Sequence, residues 1–219
     1  DDLGYNLANG LGIVNLPGPI TLAVMPHTPH GAVLARKGAA ADKQIMLHVP
    51  MQNHAGLKLG PGGLTLDMEE NQFKQVLRGD VASVPYAEGL NNHMGSALTE
   101  QALPMQWTMD VAKELDLFFV DSRTSAASIA WRQAVDQAVP ALTRDVFLDN
   151  DSDIEALEIQ FQRAIDIANK HGFVVLIGHP YPATAEFLGN SLSRLDEAGI
   201  KLVSASALIW QLQPHLNAL

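Results

Sequence analysis

The feature that most constrains this chain is a repeat of form without a repeat of sequence. Short apolar runs alternate with longer stretches of helical period. The runs are "ITLAVMP" (20–26), "QIMLHVPM" (44–51), "GLNNHM" (89–94), "LFFVDSRT" (117–124), "VFLDN" (146–150), "FVVLIGHP" (173–180) and "KLVSASAL" (201–208). Most are continuously hydrophobic, as in strands buried on both faces of a parallel sheet covered by helices. The clearest helical stretches are 152–172 and 184–199, each closed by a glycine past its last turn. Ser152 or Asp153 is the expected N-cap of the first. The expected architecture is α/β, as a complete or irregular (β/α) barrel or a doubly wound sheet. The 219 residues fit a single domain over 1–219.

Several of these runs stop being apolar at their C-terminal ends. One carries His48 and then Pro50; the next ends in Asn91, Asn92 and His93. Others end in Asp121, Ser122 and Arg123, in Asp149 and Asn150, and in His179 and Pro180. Parallel α/β folds bring all such ends to one face, where their sites are built. Residues far apart in sequence are therefore expected to converge. "DDLGYN" joins the same set: an Asp1–Asp2 pair followed by Gly suits the end of a first strand whose body lies upstream of Asp1. His27 and His30, in "PHTPHG", belong on the rim, and "LKLGPGGLTLD" (57–67) is a covering loop. His171 is expected at a helix C-terminus, His215 is expected to be inert in the tail, and Trp107, Trp131 and Trp210 are expected to pack in the core.

Composition narrows the function. Net charge is −10, with no basic stripe, which argues against a nucleic-acid partner. No stretch is long and apolar enough for a membrane span, and the chain as given shows no signal peptide. There is no cysteine, so disulfides and thiolate zinc sites are excluded. Dinucleotide, phosphate-loop, nucleophile-elbow and His-Glu-x-x-His motifs are absent. What remains is carboxylate plus imidazole, a set that suits zinc or a similar divalent ion with three protein ligands and one open position.

"DDLGYN", "MLHVPMQNH", "GLNNHMGS", "FVDSRT", "RDVFLDN" and "IGHPYPAT", in this order and spacing, resemble the divergent polysaccharide deacetylase family, the bacterial branch related to NodB-type carbohydrate esterases. The resemblance runs from Asp1 to about Leu208. It implies a distorted (β/α) barrel of about seven parallel strands, a metal-dependent hydrolase ancestry, and a periplasmic or otherwise envelope-associated setting. It implies Asp1 as general base, Asp2 and His48 as metal ligands, and His179 as general acid. NodB-type enzymes place a second ligand histidine four residues after the first, where this chain has Gln52; the third ligand is then expected to be His93, with His54 behind it. The Arg-x-Pro motif of those enzymes is replaced by "NNHMGS".

Two functions fit this set. The first is a zinc-dependent hydrolase that removes N-acetyl groups from an envelope glycan. Asp2, His48 and His93 would hold the metal, and Asp1 and His179 would move protons. Asp121 or Arg123 would orient His179 or the acid pair, with Asn91, Asn92 and Asp149 lining the site. The second is a non-catalytic descendant that binds a glycan or a partner in the same pocket.

Overall fold

In the computed structural model, which describes residues 1–213, five strands form one parallel sheet in sequence order. They are β1 (Thr21–Val24), β2 (Gln44–Met51), β3 (Ala87–Met94), β4 (Phe118–Asp121) and β5 (Ala141–Thr143). Two more, β6 (Val146–Phe147) and β7 (Leu176–Ile177), form a separate parallel pair. His215 lies outside the described residues. The α/β class with a parallel sheet is therefore present. Every residue of β2 is buried, as its unbroken hydrophobicity requires.

The helices cover the sheet by amphipathic logic. In helix Ile154–His171, Leu157, Phe161, Ala164 and Ile165 recur at helical spacing and are buried. Glu155 in its first turn and Lys170 and His171 in its last complement the helix dipole, and Gly172, at φ 86°, ends it. Asp153 occupies its N-cap position without a side-chain cap bond. Phe73 and Trp107 meet edge-to-face at 5.5 Å where helices Glu70–Ser83 and Ala102–Glu114 pack.

Some expectations are corrected. Residues 201–208 are not a strand: helix Ala205–Leu212 begins within them, capped by the Ser204 hydroxyl, which accepts from Ala207 N. Leu208 and Ile209 are its buried residues. The stretch 184–199 is two helices, Pro182–Ser191 and Arg194–Glu197. Trp131 and Trp210 are 43% and 51% exposed and are not core residues.

No ladder joins β5 to β6 among the described strands. At the other margin, residues 1–3 reach across from β1 to β7. Leu3 N donates to Ala23 O at 3.1 Å, and Met25 N donates to Leu3 O at 2.8 Å. The Asp1 backbone nitrogen donates to Gly178 O at 2.7 Å. Below this crossing lies an apolar groove of about 650 Å³, lined by Leu22, Met46, Val120 and Leu142 of the sheet and by Phe161 and Ile165 of the facing helix.

Because all pairings are parallel, the C-terminal strand ends share one edge of the molecule. The register sets His48 beside Asn91 and Pro50 beside His93. Three non-glycine residues there have left-handed backbone: Asp2 (φ 58°), Met94 (φ 53°) and Arg123 (φ 52°). Each costs on the order of 1 kcal/mol relative to a relaxed strand end. Gly4 is needed for a different reason: at φ 139°, a Cβ there would lie 2.1 Å from Thr28 Oγ1.

Candidate metal centre and flanking histidine–aspartate pair

The register delivers His48 and His93 from neighbouring strands, and the turn at Asp2 swings its carboxylate toward them. Asp2 Oδ1 lies 3.0 Å from His48 Nε2 and 2.8 Å from His93 Nδ1. The two ring nitrogens are 3.2 Å apart, with the rings edge-on at 70°. Tetrahedral coordination at zinc–nitrogen lengths would set donors roughly 3.3 Å apart, so the three atoms stand close to a coordination triangle. Although near both nitrogens, Asp2 Oδ1 is a buried oxygen without a hydrogen bond of proper geometry. An orphaned carboxylate oxygen facing two imidazole nitrogens fits a divalent cation. Burial alone would raise the Asp2 pKa; the His48 and His93 rings in their protonated form outweigh it and hold the carboxyl well below the usual range.

Asp1 sits beside this triangle, with Oδ2 3.7 Å from His48 Nε2. Asn91, fully buried, lies beneath both. Its Nδ2 donates to Asp1 Oδ1 at 3.0 Å and to Ser122 Oγ at 3.1 Å, and its Oδ1 meets His48 Nδ1 at 2.7 Å.

His179 enters from the end of β7, next to the Gly178 carbonyl that holds Asp1. Its Nδ1 lies 2.8 Å from Asp149 Oδ1, and its backbone N–H donates to Asp149 Oδ2 at 2.7 Å. Thr184 Oγ1 donates to the same Oδ2 at 2.7 Å. Burial pushes the Asp149 carboxyl up, but these donors prevail and leave it below its ordinary value. The adjacent Tyr181 hydroxyl is raised by burial and by the charges of Asp149 and Asp2, so it shares their field.

Other expected residues stand outside the cluster. Asp121 is a cap: it accepts from Arg123 N at 2.8 Å, Ser128 Oγ at 2.8 Å and Trp131 N at 3.3 Å, ordering the loop after β4. Asn92 ties β3 to β4, accepting from Ser122 N at 2.9 Å and donating to Met94 O at 2.7 Å. The Arg123 side chain is exposed. Gln52, at the position of the NodB-type histidine, accepts from Leu66 N at 2.7 Å and so pins the glycine-rich loop. His27 pairs with Asp80, His54 lies 3.1 Å from Glu100, and His30 precedes helix Gly31–Ala40. Ser122 and Thr184, the hydroxyls bonded to Asn91 and Asp149, lie inside "FVDSRT" and "IGHPYPAT" but are not among the expected site residues.

A family model described as divergent polysaccharide deacetylase matches residues 1–209. The chain belongs to the divergent polysaccharide deacetylase family. Among curated relatives, it is 35% identical over 209 residues to the uncharacterized protein YibQ of Escherichia coli K12, covering 95% of this chain and 65% of that one. It is 36% identical over 211 residues to an uncharacterized protein of Haemophilus influenzae, covering 96% of this chain and 75% of that one. The deacetylase-family chain thus spans about two thirds of the length of the E. coli relative. Among solved structures, it superposes on uncharacterized protein ATU2773 of Agrobacterium tumefaciens with TM-score 0.89 and 20% identity, covering 94% of this chain and 85% of that one. BA3943 of Bacillus anthracis, described as a CE4 family pseudoenzyme, superposes with TM-score 0.57 and 12% identity, covering 95% and 63%. At these identities the two superpositions speak to fold alone. This family's fold carries a possible Asp2–His48–His93 metal site here.

Proposed function

We propose that this chain is a metal-dependent amide hydrolase that removes N-acetyl groups from a bacterial envelope glycan. The observation that carries the reading is the convergence of Asp2 Oδ1, His48 Nε2 and His93 Nδ1 with the Asp1 carboxylate beside them. A divalent ion such as zinc, held by those three residues, would polarise the amide carbonyl and acidify a water. Asp1 Oδ2 takes the proton of the attacking water, while Asn91 holds Asp1 Oδ1 and fixes its direction. As the water oxygen bonds to the carbonyl carbon and the C–N bond breaks, His179 Nε2 gives its proton to the departing amine. Asp149 keeps the His179 Nδ1 edge occupied and supports the imidazolium. Acetate and a free amine on the sugar are the products. An envelope location follows from such a substrate.

We infer a barrel as the finer architecture. Its support is the apolar groove between β1 and β7, which residues 1–3 cross.

A second reading, a non-catalytic glycan-binding protein, draws on Gln52, which replaces an imidazole and is committed to a loop. It also draws on BA3943, a pseudoenzyme of which a mutant is described as having restored activity. Metal analysis by mass spectrometry on untagged protein, beside Asp2→Ala, His48→Ala and His93→Ala variants, comes first. Release of acetate from N-acetylated oligosaccharides follows. About one equivalent of metal and acetate release, both lost in the variants, is the expected result. No metal after loading with zinc overturns the hydrolase; metal without acetate release favours the binding protein.

A further inference from the structure

In a chain with 24 acidic and 14 basic residues, two arginines line one cavity beside the site. Arg144 Nε donates to Ser122 O at 2.6 Å and its Nη2 to Arg123 O at 2.8 Å, so the carbonyls at the end of β4 hold the guanidinium in place. Its Cζ lies 3.7 Å from the Phe147 ring centroid. Arg163, from helix Ile154–His171, approaches the same place, and the two line a cavity of about 280 Å³ with Phe147, Asn150 and Gln160. Burial lowers the Arg144 pKa first; the charges of Arg123 and Arg163 lower it further, while Asp121 and Asp145 oppose the shift.

Neither Arg144 nor Arg163 is in an ion pair among the described residues. Among the described residues, the lysine and arginine pairs are Lys74 with Glu70 and Asp110, Arg78 with Glu114, and Arg194 with Glu158. Two acids also line the cavity, neither in an ion pair with an arginine, and each has one oxygen bonded to a backbone N–H. Asp145 Oδ2 accepts from Val175 N at 2.8 Å, and Asp151 Oδ1 accepts from Asp153 N at 3.1 Å. Neither guanidinium has a directly bonded anion among the described residues, and the unengaged Nη1 edge of Arg144 suits a carboxylate.

Position ties the cavity to the site. Phe147 stacks on His179 at 6.0 Å and 28°, on the ring that also carries the Arg144 guanidinium. Arg144 therefore lies within about 10 Å of the His179 ring, the span of neighbouring sugars on one glycan chain.

We propose that Arg144 and Arg163 form a subsite for a carboxylate on the sugar next to the N-acetylated one, so that the preferred substrate is an acidic glycan. This rests on the glycan reading above.

The test is calorimetric binding of three N-acetylated tetrasaccharides. One is the neutral chitin fragment, one carries uronate carboxylates, and one carries lactyl-ether carboxylates as in N-acetylmuramic acid. Wild type is compared with Arg163→Gln, an exposed position chosen for safe folding, and with Arg144→Gln. At least one acidic ligand should bind about tenfold or more tightly than the neutral one, the worth of a charge-assisted hydrogen bond. The acidic-to-neutral ratio should fall toward one in Arg163→Gln and shrink in raised salt. Which acidic ligand wins identifies the carboxylate. Equal affinity for neutral and acidic ligands in wild type, or a preference that survives Arg163→Gln, overturns the subsite and leaves the glycan reading standing. Binding of none of the three removes the glycan reading and the subsite together.

Discussion

Asn91 sets the tautomer of His48. Its Nδ2 faces the Asp1 carboxylate and Ser122 Oγ, so its Oδ1 must be the atom 2.7 Å from His48 Nδ1. An amide oxygen only accepts, so Nδ1 carries the hydrogen and Nε2 presents its lone pair to Asp2 and His93. One neutral side chain thereby orients both the Asp1 carboxylate and the His48 ring. Asn91→Ala is expected to lower zinc affinity roughly 10–100-fold, the usual cost of losing a partner that orients a ligand histidine. Competition titration against a chromophoric chelator checks this, with circular dichroism confirming the fold; unchanged affinity would remove Asn91 from the role.

Asp149 should appear in the acid limb of stability. Its folded pKa is depressed, because the donors His179 and Thr184 outweigh its burial. A depressed carboxyl contributes stability that is present above its unfolded value, about 4, and is lost as pH falls through the folded value. Asp149→Asn is expected to destabilise by on the order of 3 kcal/mol at pH 7. The gap to wild type should narrow below pH 4. Thermal melts across pH 3–7 measure it, and a gap independent of pH contradicts the assignment.

Asp80 should act with the opposite sign. It is fully buried in helix Glu70–Ser83, Oδ2 has no partner, and burial pushes its pKa up to about 8. A raised carboxyl contributes stability that is complete below about 4 and lost as pH rises through about 8. Asp80→Asn mimics the protonated form, so it should change the melting temperature little below pH 4 and raise it at pH 9. His27 Nε2, 2.9 Å from Asp80 Oδ1, is the facing group, so His27→Ala is the control. A variant that melts with the same pH slope as wild type would show that Asp80 does not titrate in this range.

The site was more legible in the sequence than the fold around it. A parallel sheet brings strand ends together whatever the lengths of the strands, so a histidine or acid at the end of an apolar run could be placed before its neighbours were known. His48, Asn91 and His93 converge for that reason, and Asp1 and Asp2 reach them from the segment that crosses from β1 to β7. Asp121 shares the position but not the direction: the loop after β4 folds back and uses its carboxylate as a cap. Only the loop's path reveals that. Strand lengths were hidden for another reason. "FVVLIGHP" and "VFLDN" are apolar because they are buried, yet only Leu176–Ile177 and Val146–Phe147 pair as strands. "SALIW" was ambiguous as well, since a short apolar run fits either period until Ser204 caps it as a helix.

The left-handed residues Met94 and Arg123 make corners at the ends of β3 and β4, and Asp2 makes a third beside them. At each corner the sheet dictates everything before the turn and almost nothing after it. Loops beyond the corners can therefore lengthen, shorten or change chemistry while the metal-facing atoms stay fixed. A family built this way can change what it recognises by editing the loops, without rebuilding the centre beneath them.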